Sequence, residues 1–272
     1  MKNSAADPAS PGRIRIDLHL HTLASRDCLS DPEEVLGRAL ARGLDRIAIT
    51  DHDRIGAALE MARRYPDRII PGEEVKTAEG VDVIGLYLEE EIPKGTPARE
   101  ACRRIREQGG IVYLPHPFAP GKGGSGELAE SLVGLLDVVE VFNSRLHRAT
   151  LNQRAGEFAR RHGLPGGGGS DAHSPGEVGR AFVDVPDHPN EPQALLEALG
   201  SARIHGRESP RWVHLHSTWA KARKRLPGAA SLESWKEESS SDPEGSADSH
   251  GEAFREPDLD SRMNPSEEGT SP

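Results

Sequence analysis

Hydrophobic and polar residues alternate over residues 13–16, in the order Arg-Ile-Arg-Ile, which is the period of a half-buried β-strand. Segments with a helical apolar period follow, and the first opens with Asp31-Pro32, an N-cap acid before a proline at the first helical position. Later apolar runs predict further short strands at 45–50, 68–75, 81–88, 111–114, 137–142 and 182–185. The repeated alternation of strand and helix predicts an α/β fold with a largely parallel sheet, either open or closed into a barrel.

Acidic charge is concentrated at the C-terminal end of the chain. The 272 residues carry a formal net charge of -10, yet residues 227–272 hold 12 acidic and 3 basic side chains, so the residues before them are close to neutral. This last segment is rich in Ser, Glu, Asp, Pro and Gly, and we predict that it is disordered. We therefore expect a flexible N-terminus at 1–12, one folded domain at 13–210, a basic amphipathic segment at 211–226 and a disordered acidic tail at 227–272.

The composition disfavours several classes of protein. A near-neutral domain has no general basic surface for wrapping long nucleic acid, and no apolar run approaches the ~20 residues of a membrane span. Two cysteines, Cys28 and Cys102, are too few for a disulfide framework, and the first residues show no secretory signal. We expect a cytoplasmic protein, and the oligomeric state stays open.

Potential metal ligands recur where the predicted strands end. Because alternate residues of a strand point to one face, the imidazoles of His19 and His21 should converge after the first strand. Each candidate alone has an ordinary explanation, as a helix cap or a solvated side chain. In a parallel α/β fold, however, all these strand ends meet at one rim, which favours a metal site for the whole set. The other candidates are Asp51, His52, Asp53, Glu73, Glu74, His116, Asn143, Asp171 and His173.

The donor types narrow the choice of metal. Four or five histidines with several carboxylates suit manganese, zinc or iron, and they are too rich in nitrogen for a magnesium or calcium cage. They are also too many for one ion, so we expect two or three divalent ions. Ions held close together can clamp the attacking and leaving oxygens of a transfer reaction and can produce hydroxide at neutral pH.

The series of motifs resembles the PHP family, the polymerase and histidinol phosphatase domain. The resemblance covers about 13–206 and implies a distorted (β/α)7 barrel of the TIM-like type, with a two- or three-metal phosphoesterase site. The residues alone leave Glu73 and Glu74 as alternatives, and the Gly-x-Glu spacing of the family selects Glu74. We expect the catalytic contribution from His19, His21 and Asp171. The motifs that carry the resemblance are Asp17-Leu18-His19-Leu20-His21-Thr22, Thr50-Asp51-His52-Asp53, Gly72-Glu73-Glu74, Pro115-His116-Pro117 and Gly169-Ser170-Asp171-Ala172-His173. The metal ligands that it implies are His19, His21, Asp27, His52, Glu74, His116, Asp171 and His173.

The chain departs from the family pattern at one position. Many members carry a further histidine in the strand after the bridging glutamate, whereas this chain has no histidine between His52 and His116. Asp82 stands where that histidine would be expected. Either Asp82 replaces it, or the site holds one ion fewer.

Several other polar residues are weaker candidates. Arg145, Arg148 and Arg180 could contact a substrate phosphate, although solvated surface positions explain most of them equally well. His214 and His216 repeat the His-x-His spacing, but their stretch is predicted to be helical, where residues i and i+2 diverge, so we do not expect them to bind metal. The basic residues after them predict either a solvated helix face or contact with an anionic partner.

Three functions are compatible with this pattern. The favoured one is a metal-dependent phosphoesterase in which a metal-activated hydroxide hydrolyses a small phosphorylated substrate or nucleotide. The second is a 5'-3' exonuclease or nucleotide phosphatase acting on nucleic-acid ends, although the near-neutral domain does not favour long nucleic acid. The third is a non-catalytic PHP scaffold, which we would expect to have lost ligands, whereas this chain keeps nearly all of them.

Overall fold

The computed structural model describes residues 11–121, 123–226 and 231–241. In these residues one mixed sheet is surrounded by helices. Its strands are β1 (Arg13–Leu20), β2 (Arg46–His52), β3 (Ile69–Lys76), β4 (Asp82–Leu86), β5 (Ile111–Leu114), β6 (Val138–Asn143), β7 (Gly166–Gly169), β8 (Ala181–Pro186) and β9 (Arg203–Gly206). The α-helices are α1 (Pro32–Ala41), α2 (Gly56–Arg64), α3 (Ala98–Glu107), α4 (Leu128–Leu132), α5 (Ala149–His162), α6 (Pro192–Leu199), α7 (Val213–Arg223) and α8 (Leu232–Ser241).

The sheet curves into a nearly closed barrel. Its strand order is β7-β6-β5-β4-β3-β2-β1-β8-β9, and the chain just after β7 returns to β1. There Leu20 and Ala172 form a parallel bridge, with hydrogen bonds of 3.0 Å from the His21 N–H to the Ala172 carbonyl and 2.8 Å from the Asp171 N–H to the His19 carbonyl. This closure confirms the predicted α/β barrel and brings the ends of β1 and β7 together.

The sheet is less parallel than the sequence predicts. The β1–β2, β2–β3, β5–β6 and β6–β7 pairs are parallel, whereas β1–β8, β3–β4, β4–β5 and β8–β9 are antiparallel. The expectation of a largely parallel sheet is therefore wrong for half of the pairings. For β3–β4 the physical reason is the short connection, because a hairpin can only join antiparallel strands, and the reversed β4 is then antiparallel to β5 as well.

The antiparallel direction of β4 matters for the site. Its first residue, Asp82, pairs with Lys76, the last residue of β3. A strand that runs against its neighbours begins at the rim where they end, so Asp82 reaches the same rim as the carboxyl ends of β1 and β2. Glu73 and Glu74 lie within β3 rather than after it, in register with Asp51 and His52 of β2.

Strand β7 consists of four glycines, and the closeness of its neighbours explains the composition. A methyl group at Gly167 would overlap the ring of Tyr113, and one at Gly169 would overlap the β-carbon of His19. Any larger residue would force strand β1 or the buried tyrosine to move. The glycine strand therefore lets β1, with its two histidines, lie close to β7.

The core and the helix ends follow ordinary packing rules. Asp31 caps α1 as predicted, because its side chain accepts hydrogen bonds from the N–H groups of Glu33 and Glu34. The larger apolar cluster joins α1, α2, α3 and α5 to the sheet, and the smaller one joins α6 to β1 and β8. Among the described residues, no helix is long and apolar enough to cross a membrane.

The C-terminal part differs from the prediction. Residues 232–241, inside the segment predicted to be disordered, form α8, and its Trp235 is only 4% exposed. Its Leu232 packs on Gly56 at the start of α2. The first and fourth residues of α8, Leu232 and Trp235, thus find an apolar surface on the domain. The boundaries of the acidic tail stay a prediction. The predictions for residues 1–10, 227–230 and 242–272 lie outside the described residues.

Candidate metal centre

The two histidines at the end of β1 converge as predicted. Their Nε2 atoms are 3.2 Å apart, and both side chains are buried. On the other side of the His21 ring, Nδ1 lies 3.2 Å from the Ser25 hydroxyl. Both Nε2 atoms therefore point into one shared space at the carboxyl end of the barrel.

Behind His19 lies a buried polar chain that the sequence analysis did not identify. Glu140 of β6 places Oε1 3.0 Å from Nδ1 of His19, and its Oε2 accepts a 3.0 Å hydrogen bond from the Asn143 amide. A carboxylate at Nδ1 favours a proton on that nitrogen, which leaves the lone pair on Nε2. The sequence signal for this chain is Glu140 itself, an acid between apolar residues of a strand. A buried carboxylate needs polar partners, so its position indicates a buried polar contact.

Glu74 lies at the middle of the cluster. Its carboxylate is surrounded by four imidazoles: Nε2 of His19 and of His21 at 3.4 Å, Nδ1 of His52 at 2.9 Å and Nε2 of His116 at 3.2 Å. Glu74 is 1% exposed, yet neither of its oxygens makes a hydrogen bond of acceptable geometry within the described part of the chain. A buried carboxylate in this condition is stabilised by positive charge beside it, from a protonated imidazole or from a bound cation.

The neighbouring Glu73 points away from this cluster. Its Oε2 accepts a 2.8 Å hydrogen bond from the Ile92 N–H, on the far side of β3. Burial raises the pKa of Glu73 to about 8. Adjacent residues of a strand face opposite sides, so only one of the two glutamates can reach the imidazoles, and it is Glu74.

A second set of donors lies on the side of His52. Asp27 Oδ1 is 3.7 Å from Nε2 of His52 and 3.5 Å from Nε2 of His173. Asp171 Oδ1 lies 3.3 Å from Nε2 of His21, and therefore connects this side to the β1 pair. All eight ligands implied by the resemblance thus lie in one continuous cluster.

Potential ligand atoms form three overlapping groups, within each of which all the atoms lie within 4.8 Å of one another. Asp82 belongs to one group, at the position where the family pattern would have a histidine. Burial, and then the negative charge of Glu74, raises the pKa of Asp82 to about 6, while its ion pair with Lys76 (2.5 Å) opposes that rise. The three groups are His19–His21–Glu74, His21–His52–His173 and Glu74–Asp82–His116.

Backbone strain also concentrates here. Among the described residues, four that are not glycine have a positive φ, and two of them are candidate ligands, His116 (53°) and Asp171 (52°). A third, Asp53 (55°), follows His52 in the chain. This left-handed conformation is unfavourable for residues with a β-carbon. In His116 and Asp171 it turns a candidate ligand towards the cluster.

The electrostatics of the centre fit a divalent metal. Burial would raise the pKa of Glu74, but the charges of His52 and His19 lower it well below its usual range. Burial, together with His173 and His52, lowers the pKa of His21 to about 3, so its imidazole is neutral. Burial opposes protonation of His52, yet Glu74 and Asp27 raise its pKa to about 9. The carboxylates thus hold positive charge beside Glu74, on His52 when no ion is bound, so the space next to Glu74 favours a cation. A bound metal would replace that proton, and imidazole with carboxylate is a donor set for manganese, zinc or iron.

The cluster opens into a cavity of about 280 Å³. Of the three arginines considered for phosphate binding, Arg145 lines this cavity, whereas Arg148 and Arg180 are not among the described residues that line it. Arg145 is buried and already makes a 3.1 Å ion pair with Glu177 and a 2.8 Å hydrogen bond to Ser217.

Helix α7 forms one wall of this cavity, which the sequence analysis did not predict. His214, Ser217, Thr218 and Lys221 all line it, and the Lys221 ammonium is 3.3 Å from Oδ2 of Asp27. His214 and His216 lie in a helix, as predicted, and His216 is exposed. The basic residues of this stretch can be recognised in the sequence, but which side of α7 faces the cavity depends on how the helix packs.

Comparison with known proteins identifies the family. The sequence profile of the PHP domain matches residues 17–107, and that of the PHP-associated domain matches residues 149–204. An uncharacterised protein of Methanocaldococcus jannaschii is 38% identical over 175 residues, which cover 62% of this chain and 70% of that protein. The chain belongs to the PHP family. Its class is accordingly that of metal-dependent hydrolases acting on phosphoric ester bonds.

Two relatives with named activities are similar over about a third of their length. A 5'-3' exoribonuclease of Haemophilus influenzae is 33% identical over 100 residues, covering 35% of this chain and 36% of the relative. A 3',5'-nucleoside bisphosphate phosphatase of Chromobacterium violaceum is 39% identical over 98 residues, covering 34% and 33%. Among solved structures, a two-domain protein of Bacteroides vulgatus, described as containing a predicted PHP-like metal-dependent phosphoesterase, superposes with a TM-score of 0.59. That match is 20% identical and covers 81% of this chain and 74% of the other, so it supports the fold.

Proposed function

We propose that the protein hydrolyses phosphate monoesters or nucleotides, using two or three divalent ions of manganese, zinc or iron. The observation that carries the proposal is the Glu74 carboxylate, which is buried among four imidazoles and has no hydrogen bond of acceptable geometry to the described residues. The side chains that would hold the ions are His19, His21, Asp27, His52, Glu74, His116, Asp171 and His173. When bound, such ions lower the pKa of water and offset the charge of a phosphate.

The residues of the chain itself would position the reaction. Glu140 holds the His19 ring with its Nε2 towards the cluster, and Ser25 contacts the corresponding nitrogen of His21. Asp171, at a strained backbone position, faces the His21 ring. We propose that His19, His21 and Asp171 make the catalytic contribution, because each would share an ion with the others.

We also propose that Asp82 acts as a ligand in place of the missing histidine. It belongs to one group with Glu74 and His116, and Asp82 is 3% exposed. An oxygen donor at this position keeps the number of ligands unchanged but adds negative charge. We also propose that Arg145, which lines the cavity, contacts a phosphate of the substrate.

The direct test combines metal analysis with a substrate screen. Protein purified without chelators should contain two or three equivalents of manganese, zinc or iron, and should hydrolyse at least one of p-nitrophenyl phosphate, sugar phosphates and nucleotides. His216→Ala, an exposed residue outside the centre, is the matched control for histidine removal. Less than one equivalent of metal, with no uptake on incubation, would contradict the metal centre. A fully loaded protein that hydrolyses no phosphate ester would contradict the activity.

Hydrolysis of nucleic-acid ends is the second candidate, and the named relatives favour it. Both the exoribonuclease and the bisphosphate phosphatase act, by their names, on nucleotide phosphates. A set of 5'-phosphorylated oligonucleotides of increasing length, added to the same screen, separates the candidates. Release of mononucleotides from the 5' end indicates an exonuclease, and release of phosphate alone indicates a phosphatase. A non-catalytic scaffold is not favoured, because all eight candidate ligands are present.

A further inference from the structure

The outer side of helix α7 carries a cluster of exposed apolar side chains. Trp212, Leu215, Trp219 and Leu226 are between 55% and 69% exposed, and they are four of the six large apolar side chains that are exposed in the described part of the chain. Their spacing of three, four and seven residues places them on one face of the helix and of the turn after it. We call this face the outer stripe. Contiguous exposed apolar surface marks an interaction site, whereas single scattered residues do not.

The opposite face of the same helix is already packed on the domain. Val213, Ser217 and Ala220 are buried there, and the Ser217 hydroxyl accepts a 2.8 Å hydrogen bond from Arg145. A helix with apolar side chains on both faces is typical of one that lies between two surfaces. The domain provides one of these surfaces, so the outer stripe is suited to contact a second.

Basic side chains accompany the outer stripe. Residues 211–226 include five basic and no acidic residues. Lys221 and Lys224 contact the domain. Arg211 and Arg225, by contrast, are exposed at the two ends of the stripe. The surface therefore fits a partner that combines apolar side chains with negative charge.

The chain itself contains a segment with this chemistry. Residues 242–272 hold nine acidic and two basic residues. Their three large apolar residues lie within ten positions of one another, and they are Phe254, Leu259 and Met263. Charge and apolar content are thus complementary to those of the outer stripe.

The length of the chain allows this segment to return to α7. Leu226, at the end of the outer stripe, and Leu232, at the start of α8, line the same cavity. Helix α8 is only about 15 Å long. The chain from its last residue, Ser241, to Phe254 spans up to about 43 Å when extended. Residues after α8 are therefore long enough to reach the stripe in the same molecule.

We propose that residues 252–263 bind across the outer stripe of α7 in the same molecule. The three apolar residues of this segment contact the stripe, and its acids lie beside Arg211 and Arg225. Tethering places the segment at a millimolar effective concentration, which offsets the entropy lost when it is ordered. This inference does not depend on the proposed function, and it gives the acidic tail an intramolecular binding site.

Two other occupants fit the charges less well. In a symmetric pair of α7 helices, the basic flanks of the two copies would lie side by side and repel each other. An anionic lipid surface would attract the same arginines, but it would repel the acidic residues that follow α8. Each of these occupants predicts results that differ from those expected for the tail.

Tryptophan fluorescence reports directly on the outer stripe, because two of the three tryptophans of the chain lie on it. The third, Trp235, is buried in the larger apolar cluster and contributes equally to the parent and to variants of the tail. Acrylamide quenching of the full-length protein therefore measures how well Trp212 and Trp219 are covered.

Removing the apolar residues of the tail should uncover both stripe tryptophans. In a triple-serine variant, the Stern–Volmer constant for acrylamide should be about twice that of the parent, because two large indole rings lose their cover. Ala247→Ser, a change in the same tail outside the binding segment, is the control and should leave the constant unchanged. The triple-serine variant combines Phe254→Ser, Leu259→Ser and Met263→Ser.

A peptide added in trans tests the contact from both sides. A fluorescein-labelled peptide of residues 250–264 should bind the full-length triple-serine variant, whose own tail no longer competes, and its anisotropy should rise. Leu215→Ser in the protein should weaken this binding about tenfold, whereas Leu40→Ser, at an exposed leucine on α1, should not. Arg211→Glu with Arg225→Glu should also weaken it at low salt, although the stripe is intact. Melting temperatures show whether each variant is folded.

Equal quenching of the parent and the triple-serine variant would overturn the proposal, because the tail then does not cover the stripe in the same molecule. Peptide binding that Leu215→Ser leaves unchanged would place the tail elsewhere and would overturn it too. In analytical ultracentrifugation, a dimer that Leu215→Ser dissociates would assign the stripe to a second copy instead. Co-sedimentation of the parent with phosphatidylserine vesicles, lost in Leu215→Ser, would assign it to a lipid surface.

Discussion

Replacing Glu140 with glutamine would test how His19 is oriented, because the substitution changes hydrogen bonding without changing side-chain shape. In the parent protein one carboxylate oxygen faces Nδ1 of His19 and the other accepts from the Asn143 amide, both at 3.0 Å. A glutamine has only one acceptor oxygen. Its NH2 group must therefore face either the NH2 group of Asn143 or Nδ1 of His19. In the first case two hydrogen-bond donors face each other. In the second case the imidazole proton moves to Nε2, and that nitrogen can no longer bind a metal.

The surrounding contacts oppose an easy relaxation. Asn143 cannot simply turn its amide, because its Oδ1 accepts a 2.9 Å hydrogen bond from the Arg145 N–H. An unsatisfied buried donor costs about 1–3 kcal/mol. Loss of the carboxylate behind a metal-binding histidine usually weakens metal affinity by roughly 10–100-fold, or about 1.4–2.7 kcal/mol. The two estimates agree, so we expect the metal Kd of Glu140→Gln to rise by about 10–100-fold.

Competition with a chelator of known affinity measures this Kd for manganese and zinc. Glu157→Gln, which removes the same charge from the exposed face of α5, is the control and should bind metal like the parent. Activity of Glu140→Gln should recover partly at high metal concentration. A Kd within twofold of the parent, with an unchanged melting temperature, would refute the idea that Glu140 orients His19.

Three further predictions concern the centre and the C-terminal helix α8. His21→Ala and Asp171→Asn should each lower the phosphoesterase rate by about three orders of magnitude. The double variant should be little slower than either single variant, because ligands of shared ions act as a unit. Additive losses in steady-state kinetics would show that the two residues have independent roles. Gly169→Ala should destabilise the protein by about 1–3 kcal/mol in urea unfolding, because the new methyl group overlaps the β-carbon of His19, whereas Gly37→Ala on α1, where nothing lies within 4 Å, should not. Ending the chain after Leu226 should lower stability by about 2–4 kcal/mol, since Trp235 and Leu232 lose their packing; an unchanged melting temperature would mean that α8 does not hold to the domain.

The fold class could be predicted from residue patterns, but the direction of the strands could not. Alternating strands and helices indicated an α/β fold with the sheet either open or closed, and the family resemblance implied the barrel. Asp31 marked the start of α1 correctly. The antiparallel β4 was harder to foresee, because a strand buried on both faces carries no sign of its direction. The short connection between Lys76 and Asp82 forces β3 and β4 to be antiparallel.

The tail shows the limit of arguments from composition. Average composition over 227–272 is that of a disordered segment, and it hides two apolar residues: Leu232, which packs on Gly56 of α2, and Trp235, which is buried in the larger apolar cluster. A short helix needs only a few apolar contacts when the rest of the domain supplies the surface. The candidate ligands carry a recognisable pattern, because their imidazoles and carboxylates meet at one rim of the barrel, although each alone has an ordinary explanation. Their partner Glu140 was missed, since it carries no motif of its own.

The structure links metal binding to the stability of the barrel. Strain at His116 and Asp171 costs about 1–3 kcal/mol per residue, and it is located where candidate ligands must turn inwards. The buried carboxylate of Glu74 has no hydrogen bond of acceptable geometry to the described residues, and it stays ionised only because positive charge lies beside it. Glycine strand β7 adds flexibility to the unfolded chain and contributes no side chains to the core. None of these features stabilises the protein by itself, and each brings a donor or a strand closer to Glu74. Because a cation at that point would offset all three costs at once, its binding free energy would contribute directly to folding.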